Sequence, residues 1–353
     1  MQLKERYLPL LAKEGSIVVG TTRAPRITGR RVGERDVVSV IVVNHNGMRF
    51  VEGLFMALSR QTYRNFEVLF FDNASTDDSV GFVKRSYPSV RIFMSRKNDG
   101  FSRPNNYGIR ESRGEFVLAL NLDVDLEASF IERLVKAVQR DEMVGWAAGR
   151  MYKLQRDGRR SRDIDCLGHH LGRDRYAKEI DYSRPFSWDY YSKNRYVFGA
   201  SACAVLYRRA MLEDVAVSNE YFDEDFAAYW EDVDLDWRAQ LMGWKCLYVS
   251  NAIGYHVRGG SGLITSADVM GHYVANRFLL LIKNDETKHL LQDIVPFMSR
   301  SAGDFRRFLK RNPHALLRAA VLLSVNLPKA VIKRRTIHAR KRVDSRYMRT
   351  MIR

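Results

Sequence analysis

Two acidic pairs in the chain have the residue types and spacing that metal binding and proton transfer require. Asp123 and Asp125 follow an apolar run that ends at Leu120. Hard divalent cations prefer oxygen ligands and usually take one or two protein carboxylates, with phosphates and water completing the coordination. A metal held there would bridge a diphosphate and neutralise the charge that develops on a phosphate leaving group. A solvated turn that leads into the next helix is the alternative.

The second pair, Glu231 and Asp232, opens a predicted helix. The positive end of a helix dipole stabilises an ionised carboxylate in the first turn, and such a carboxylate in a pocket can remove a proton from an attacking hydroxyl. Acids in a first turn can also serve only to complement the dipole. His256, which follows a predicted strand, is either a metal ligand or a core histidine with one hydrogen bond.

Polar clusters follow the first four predicted strands. The strands are the apolar runs Val37–Val43, Phe66–Phe71, Val90–Met94 and Glu115–Leu120. The clusters that follow them are Asn44–Asn46, Asp72–Asp77, Asn98–Gly100 and Asn121–Asp125. Turn formation enriches Asn and Asp in any one loop, and Asp72 could either accept a nucleobase N–H or cap the next helix. Four consecutive clusters favour a binding site, because ligands bind beyond the carboxyl ends of parallel strands.

Apolar residues at helical spacing separate these strands. The predicted helices are Phe50–Ser59, Asp77–Tyr87, Pro104–Ser112 and Phe130–Arg140. Strands and helices that alternate with short connections predict an α/β fold with a mostly parallel sheet and helices on both faces. No GxGxxG follows Val43, and the chain has no GxxxxGK(S/T). These absences argue against dinucleotide dehydrogenases and P-loop NTPases.

The second half of the chain is less regular. Its predicted elements are a loop-rich segment at 153–195, a strand at Phe198–Tyr207, a strand at Trp244–Val249, a helix at 267–295 and a basic amphipathic helix with a tail at 305–353. Between them, Val233, Trp237 and Leu241 recur every fourth residue. This spacing predicts one buried stripe on the helix that Glu231 opens.

The positive charge of the chain is concentrated near its C-terminal end. The 353 residues are 46% hydrophobic, enough for a sizeable core, and carry a net charge of +17. Residues 305–353 hold fifteen Lys and Arg and one acid, Asp344, so the rest is nearly neutral. This distribution argues against a nucleic-acid enzyme with a broad basic channel. It favours a tail that contacts an anionic surface such as a membrane.

Cysteine usage and hydropathy indicate the compartment. The three cysteines are widely spaced and form no CxxC motif, which favours a reducing environment. The N-terminal sequence MQLKERYLPLLAKEG predicts no signal peptide. Ala315–Ile332 is the most apolar stretch, but Arg318, Asn326, Pro328 and Lys329 interrupt it, so no membrane-spanning helix is predicted.

Taken together, five separated blocks resemble the family 2 glycosyltransferases with the GT-A fold. In chain order they are VSVIVVNHNG, FEVLFFDNASTDDS, NDGFSRPNNYGIRESRGEFVLALNLDVD, FDEDFAAYWEDVDLDWRAQLMGW and YHVRGGS. The nearest subgroup is the bacterial rhamnosyltransferase-like enzymes of cell-wall and surface-polysaccharide synthesis. The resemblance is specific because all five blocks occur in the family's order. It implies a Rossmann-like GT-A fold, a nucleotide-sugar donor, a divalent metal (Mg²⁺ or Mn²⁺) and inversion at the anomeric carbon.

The resemblance also implies roles for the polar clusters. By position, Asn44 and Asp72 would hold the nucleoside, and Asn98 and Gly100 would lie near the ribose or the diphosphate. The remaining residues of the implied donor site are Asn46, Asn105, Asn106 and Asn121.

The implied metal and catalytic residues come from the acidic pairs. Family members commonly have Asn-Pro-Asp at the metal motif, and the matching residues here are Asn121-Leu122-Asp123. Asp123 is therefore the expected ligand and Asp125 an additional acid, with an Asp-Val-Asp motif as the alternative. Glu231 and Asp232 match the family's catalytic acidic pair, with Asp232 as the base. His256 matches the family's late metal-binding histidine.

The expected organisation is an N-terminal extension, a transferase domain and a tail. The boundaries are 1–36 for the extension, 37–125 for the nucleotide-binding half, 126–290 for the acceptor half and 291–353 for a basic amphipathic helical tail. The expected donor is dTDP-rhamnose or a UDP-sugar, and the expected acceptor is a glycan or lipid-linked glycan.

The tail, taken as residues 305–353, is expected to hold the protein on the cytoplasmic face of an anionic membrane, and a homo-oligomer is possible; nucleic acid is not an expected partner. Two other functions stay open at this stage. One is a transferase that adds sugar to a polyprenyl phosphate, and the other is a non-catalytic binding protein on a transferase scaffold.

Overall fold

The computed structural model describes residues 33–180, 182, 192–259 and 266–352. Most of the expected N-terminal extension, residues 1–32, lies outside the described residues. Residues 181, 183–191 and 260–265 of the expected acceptor half and the last residue of the expected tail also lie outside them.

The first half of the sheet is parallel, as predicted. Its strands are β1 (Glu34–Asn44), β2 (Phe66–Asp72), β3 (Arg91–Met94) and β4 (Gly114–Leu120). β1 lies between β2 and β4, and β3 continues the sheet beyond β2. The helices of this half are α1 (Met48–Ser59), α2 (Ser79–Ser86), α3 (Ser102–Glu111) and α4 (Phe130–Gln139).

Alternate residues of β1 contribute to two separate core clusters. Val40 and Val42 pack in a cluster with α1 and α4, whereas Ile41 packs in a cluster with α3. All three valine and isoleucine side chains are at most 1% exposed. Because successive side chains point to opposite faces of a sheet, a strand covered on both faces needs a continuous apolar run. The expectation of an α/β fold with helices on both faces is confirmed.

The second half extends the sheet with strands of mixed direction. They are β5 (Val124–Leu126), β6 (Val144–Leu154), β7 (Arg160–Cys166), β10 (Arg195–Val197), β11 (Ala204–Arg208) and β12 (Lys245–His256). β11 runs antiparallel between β4 and β6, and β12 runs parallel to β6. A separate two-stranded sheet consists of β8 (His169–Leu171) and β9 (Ala177–Glu179).

The strand predicted at Phe198–Tyr207 was wrong in its first half. Only β11 is a strand, and residues 198–203 are largely irregular. The N–H groups of Ala200 and Ala202 donate to side-chain carboxylates rather than to a neighbouring strand. A run of small apolar residues does not show whether its backbone N–H groups will bond a neighbouring strand or a side-chain carboxylate.

The loop-rich segment predicted at 153–195 was also wrong in part. It contains β7, β8 and β9, and β7 pairs with β6. Ile164 and Cys166 are buried, and Asp165 between them is buried as well. Charged residues that point inward hid the strand pattern from the sequence.

The remaining helices form the C-terminal part of the chain. They are α5 (Arg209–Val215), α6 (Glu231–Leu241), α7 (Ala267–Asn284), α8 (Thr287–Gln292), α9 (Ile294–Arg311), α10 (Pro313–Ala339) and α11 (Ser345–Met351). The expected helical extension is confirmed. The stripe predicted on α6 is buried, with Val233 4%, Trp237 1% and Leu241 0% exposed.

A buried lysine fixes α10 to the rest of the protein. Lys333 Nζ lies 2.6 Å from an Asp223 oxygen and 3.0 Å from both Glu220 and Asp225. Other basic residues near the C-terminus make similar pairs, such as Lys341 with Glu286 at 2.6 Å. Much of the positive charge concentrated near the C-terminus therefore binds acidic residues that lie earlier in the chain.

The helix Pro313–Ala339 is long and apolar enough, by length and composition, to cross a membrane. Its most apolar 18 residues have a mean hydropathy of 1.6, and 22% of them are buried. No such helix was expected from the interrupted sequence. Because Lys333 and the alanines at 315, 319 and 330 are buried against the protein, one side of this helix is committed to protein contacts.

We expect Lys333→Ala to lower the free energy of unfolding by about 3–5 kcal/mol, because removing one partner leaves buried carboxylates uncompensated. The matched control is Arg335→Ala, at an exposed position two residues further along the same helix. It should change the free energy of unfolding by about 0.5 kcal/mol or less. Urea unfolding of both variants measures the difference. Equal stability of the two variants would contradict the anchoring role of Lys333.

Candidate active site

The loop after β4 and the end of β12 bring an aspartate and a histidine together. Val124 lies opposite His256 in the antiparallel pairing of β5 with β12. The N–H of Val257 also donates to the Asp123 carbonyl at 2.9 Å. As a result, Asp123 Oδ1 lies 3.3 Å from His256 Nε2, and the side chains are only 12% and 8% exposed. The structure therefore joins two of the three predicted metal ligands.

Asp165 on β7 holds the other side of the His256 ring. Its Oδ2 lies 2.9 Å from His256 Nδ1, and Arg258 donates to its Oδ1 at 2.8 Å. Burial disfavours the charged imidazole, but the carboxylates of Asp123 and Asp165 outweigh this effect and raise the pKa of His256 to about 9. A carboxylate bonded to one ring nitrogen commonly directs the other nitrogen toward a metal.

A divalent cation fits this pair of residues. Asp123 Oδ1 and His256 Nε2 already converge, and the chemistry of both donors suits Mg²⁺ or Mn²⁺. Within the described residues there is no cluster of three or more His, Cys, Asp or Glu side chains that could hold a metal ion. The protein would thus supply two ligands, leaving the other positions to phosphate oxygens and water, as is usual for Mg²⁺.

Asp125, the third predicted metal ligand, is held elsewhere. Arg160 Nη2 lies 2.8 Å from its Oδ2, and Arg60 Nη2 lies 3.3 Å from its Oδ1. In the part of the chain that the structure describes, no ion pair joins Asp125 to His256. The structure thus does not bring Asp125 into the Asp123–His256 pair.

At the ends of β1 and β2, Asn44 and Asp72 bond to each other. Asn44 Nδ2 donates to Asp72 Oδ1 at 2.7 Å and to Ser79 Oγ at 2.8 Å. The Ser75 N–H donates to Asp72 Oδ2 at 3.0 Å, and neither Asn44 nor Asp72 is more than 1% exposed. These two predicted donor-binding residues form a buried tie that fixes the loops after both strands.

Asn73, which the sequence analysis did not single out, organises the loop after β3. Its Nδ2 donates to Asn98 Oδ1 and to the Gly100 carbonyl, both at 2.8 Å, and its Oδ1 accepts the Asp99 N–H at 2.8 Å. Gly100 has a φ of +75°, and a Cβ there would lie 2.4 Å from the Ala227 carbonyl oxygen. Gly100 therefore meets the segment that leads into α6, and Asn98 is held beside it by Asn73 and the Gly100 N–H.

Other predicted donor-site residues have structural contacts. Asn46 is exposed, has a φ of +50°, and accepts the Thr76 N–H at 2.7 Å. Asn105 and Asn106 are buried on α3, and Asn106 Nδ2 donates to the Phe222 carbonyl at 2.7 Å. Asn106 thereby connects α3 to the segment that precedes α6.

Glu231 and Asp232 begin α6 after a strained segment. Within residues 227–230, three residues that are not glycine have φ values of +46°, +65° and +72°. Asn276 on α7 donates to carbonyls of residues 226–229 at 2.7–3.0 Å and holds this conformation in place. Strained backbone of this kind clusters at functional sites.

The two acids of the pair lie in different environments. Asp232 accepts the Ala202 N–H at 3.3 Å and the Val233 N–H at 2.8 Å, and its side chain is 17% exposed. Burial, followed by the charge of Asp232, raises the pKa of Glu231 to about 8. Neighbouring carboxyl groups in unlike environments can take different proton-transfer roles. Asp232 is the better placed of the two to receive a proton.

A short backbone segment, residues 199–203, connects the two acidic sites. The Asn121 N–H donates to the Cys203 carbonyl at 2.8 Å, and the Ala202 N–H donates to Asp232. Asn121 is two residues before Asp123. The candidate metal pair and the candidate base are therefore joined through one segment on the same side of the molecule.

Four charged residues that the sequence analysis missed extend between these sites. Arg258 Nη2 donates to Glu179 Oε1 at 2.9 Å as well as contacting Asp165, and Glu179 Oε2 lies 3.7 Å from His169 Nε2. The available signal was the position of Asp165 between two apolar residues, a period-of-two pattern typical of a strand.

Comparisons with known proteins agree with this architecture. The family model described as "Glycosyl transferase family 2" matches residues 39–216. A Mycobacterium tuberculosis protein named N-acetylglucosaminyl-diphospho-decaprenol L-rhamnosyltransferase is 27% identical over 272 residues, which cover 68% of this chain and 81% of that protein.

Two solved structures show the same fold. The Staphylococcus aureus protein TarS (residues 1–349), in complex with UDP-GlcNAc, is 17% identical with a TM-score of 0.54, covering 86% of this chain and 90% of that one. GalNAc-T7 with UDP, GalNAc and Mn²⁺ is 15% identical with a TM-score of 0.53, covering 71% of this chain and 49% of that one.

Gly199 offers a direct test of how the connecting segment is packed. A Cβ at Gly199 would lie 1.8 Å from Asp236 Oδ2, so Gly199→Ala should displace the segment that bonds Asp232 and lower the thermal midpoint. The control is Gly53→Ala on α1, where a Cβ would meet nothing within 4 Å. Because alanine favours helix more than glycine does, this substitution should stabilise the protein by up to about 1 kcal/mol. Thermal unfolding measures both; an unchanged midpoint for Gly199→Ala would contradict the packing described.

Proposed function

The chain belongs to glycosyl transferase family 2 and is a glycosyltransferase; from this we propose that it transfers a sugar from a nucleotide-diphosphate sugar to an acceptor hydroxyl with inversion. The observation that carries the proposal is the connection of the Asp123–His256 pair to Asp232 through residues 199–203. A donor diphosphate held at the pair would place its sugar between the two acidic sites.

Asp123 and His256 would hold a divalent cation, Mg²⁺ or Mn²⁺, on the donor diphosphate. When bound, the cation neutralises the charge that grows on the leaving diphosphate. Asp165 supports this role because it fixes the orientation of the His256 ring at 2.9 Å. Asp123 is 12% exposed, which leaves an edge of its carboxylate open to a ligand.

Asp232 would act as the general base. It takes the proton of the acceptor hydroxyl while the acceptor oxygen forms a bond to the anomeric carbon. The bond from that carbon to the diphosphate oxygen breaks, and its electron pair leaves with the nucleotide diphosphate. Attack from the face opposite the leaving group inverts the anomeric centre in one step, so no covalent enzyme intermediate and no Ser or Cys nucleophile is involved.

The relatives suggest the classes of donor and acceptor. The mycobacterial protein is named for transfer of L-rhamnose to N-acetylglucosaminyl-diphospho-decaprenol, a lipid-linked glycan. We propose the same acceptor class, with dTDP-rhamnose as the first donor to test. UDP-sugars come next, since TarS is seen in complex with UDP-GlcNAc.

A lipid-linked acceptor requires access to a membrane, and the outward surface of α9 and α10 suits that requirement. Exposed apolar side chains on α9 are Ile294, Val295, Met298, Phe305 and Leu309. Those on α10 are Leu317, Val321, Val325, Leu327, Val331 and Ile332. We call these eleven residues the apolar face.

α10 is apolar on both sides, since Leu322 and Ile337 are buried and large apolar residues are also exposed. Its protein-facing side contains Asn326 and Lys333, each 7% exposed, whereas Val325 and Ile332 on the other side are 59% and 61% exposed. A surface helix of a soluble domain normally places polar residues outward. The large apolar residues exposed on the outward side favour an apolar environment outside α10.

Basic residues around the apolar face favour an anionic bilayer over a second copy of the chain. Arg306, Lys310 and Arg335 are exposed, and no ion pair is recorded for them among the described residues. Two copies packed face to face would bring these like charges together, whereas an anionic leaflet attracts them. We therefore propose peripheral attachment to the cytoplasmic leaflet through residues 305–353, with the apolar part of α9 included.

Asp232→Asn should lower the turnover number by at least about a hundredfold, since general-base catalysis contributes about 10²–10⁴-fold. Donor binding should survive, because the substitution keeps the shape of the side chain. Release of nucleotide diphosphate measures turnover, and calorimetric titration of donor with Mn²⁺ measures binding. The control is Asp157→Asn, an exposed carboxylate in the turn between β6 and β7. Near-normal turnover of Asp232→Asn would reject Asp232 as the base.

Flotation with liposomes tests the membrane proposal. The double variant Val321→Glu/Val325→Glu should lose most of its binding to vesicles, because it places charge in the centre of the apolar face. Arg306→Gln/Lys310→Gln should lose binding only to vesicles that contain anionic lipid. If the valine variant floats as the unmodified protein does, or if neither protein floats, the proposal fails.

A further inference from the structure

Four acidic residues crowd the first two turns of α6. Three of them are buried: Glu231 is 8% exposed, and Asp234 and Asp236 are 0% exposed. Asp234 is neutralised by Arg238 at 2.9 Å and Lys283 at 2.8 Å. Like charges at this spacing disfavour one another's ionisation. The other acidic residues of the cluster therefore need a positive group nearby.

A histidine of β8 lies against this cluster. His169 Nδ1 lies 3.1 Å from Asp236 Oδ2, and its Nε2 lies 4.0 Å from Asp232 Oδ2 and 3.7 Å from Glu179 Oε2. Among the described residues, His169 is the sole basic side chain recorded within 4.0 Å of an Asp232 oxygen. The ring therefore stands between the candidate base and two other carboxylates.

The backbone fixes His169 in this position. Its N–H donates to the Gly199 carbonyl at 2.6 Å, at the start of the segment that also bonds Asp232. The Ala200 N–H donates to Asp236 Oδ2 at 3.0 Å, so the oxygen that contacts the ring is itself held. The side chain is 6% exposed and has little freedom to turn.

We propose that His169 is a positioning residue for the glycosyl transfer: its imidazolium supplies the positive charge beside the Asp232 carboxylate and orients it toward the acceptor, while Asp236 orients the imidazolium. This inference rests on the proposed function, in which Asp232 is the base. Nothing in the reaction requires His169 to touch either substrate.

The groups that face the ring account for its charge. They are Asp232 and Asp236 on α6 and Glu179 on β9, with the Cys166 thiol of β7 bonded to Glu179. Burial disfavours the imidazolium, but Glu179 first, then Asp236 and Asp232, outweigh it and raise the pKa of His169 well above its usual value. His169 is therefore charged at neutral pH.

The same groups indicate which acids carry the proton. Burial raises the pKa of Glu231 to about 8 and that of Asp236 to about 7. The Asp232 carboxylate, by contrast, accepts two backbone N–H groups and has the His169 ring beside it.

The test is His169→Gln in the full-length chain. On the acid side of the pH profile we expect kcat to fall about tenfold or more, with the donor KM within about twofold of its normal value. The acid limb of kcat should move to higher pH by about 1–3 units, the usual effect of an opposite charge at this distance. Activity should recover toward normal above the new midpoint. The control is His170→Gln, the next residue of β8, which should change neither kcat nor the pH profile.

A structural role alone predicts a different result. A loss of kcat that is equal at every pH, or no loss, would overturn the proposal. Histidine side-chain NMR of the unmodified protein gives a second readout that needs no variant: a doubly protonated His169 ring at pH 7 supports the proposal, and a neutral ring overturns it. If Asp232→Asn keeps its normal turnover, the assignment of Asp232 as the base is wrong. If Asp232→Asn loses turnover but His169→Gln behaves as the unmodified protein does, only the role of His169 is wrong.

Discussion

Burying several carboxylates at one edge of a sheet is the constraint on which the rest of this structure depends. Each buried carboxylate needs N–H donors or a cation, because an uncompensated charge cannot remain in the interior. Residues 199–203 supply N–H groups to Asp232 and Asp236, and Gly199 permits the close approach to Asp236. Lys283 and Arg238 serve Asp234. The acidic residues therefore determine the course of the backbone around them.

The sequence predicted the first half of the fold well because its strands are buried on both faces. The continuous apolar run from Val37 to Val43 is typical of a strand buried on both faces of a parallel sheet. The polar residues that follow these strands lie at the carboxyl edge of that sheet, as the parallel pairing requires. The roles of Asp123, Asp232 and His256 came from the resemblance to the family's motifs, and they stay predictions. No sequence pattern indicates that Asn44 and Asp72 bond each other.

The sequence failed where polar residues point inward. Asp165 and His169 lie in a segment whose charged composition indicated loops, yet both are at most 5% exposed. Their partners Arg258 and Asp236 are far away in the chain, so no local pattern reveals the pairing. The same limitation applies at the C-terminus, where Lys333 contributed to a basic tail in the sequence but is buried among carboxylates in the structure.

The central claim is that a cation at Asp123 and His256 and the carboxylate of Asp232 border a single donor site. Anomalous diffraction from crystals of the full chain grown with Mn²⁺ and UDP tests it most directly. The account predicts one manganese peak in contact with Asp123, His256 and the UDP diphosphate, with the Asp232 carboxylate across the space that the sugar would occupy. A peak held by other residues, or an Asp232 carboxylate directed away from that space, would contradict it.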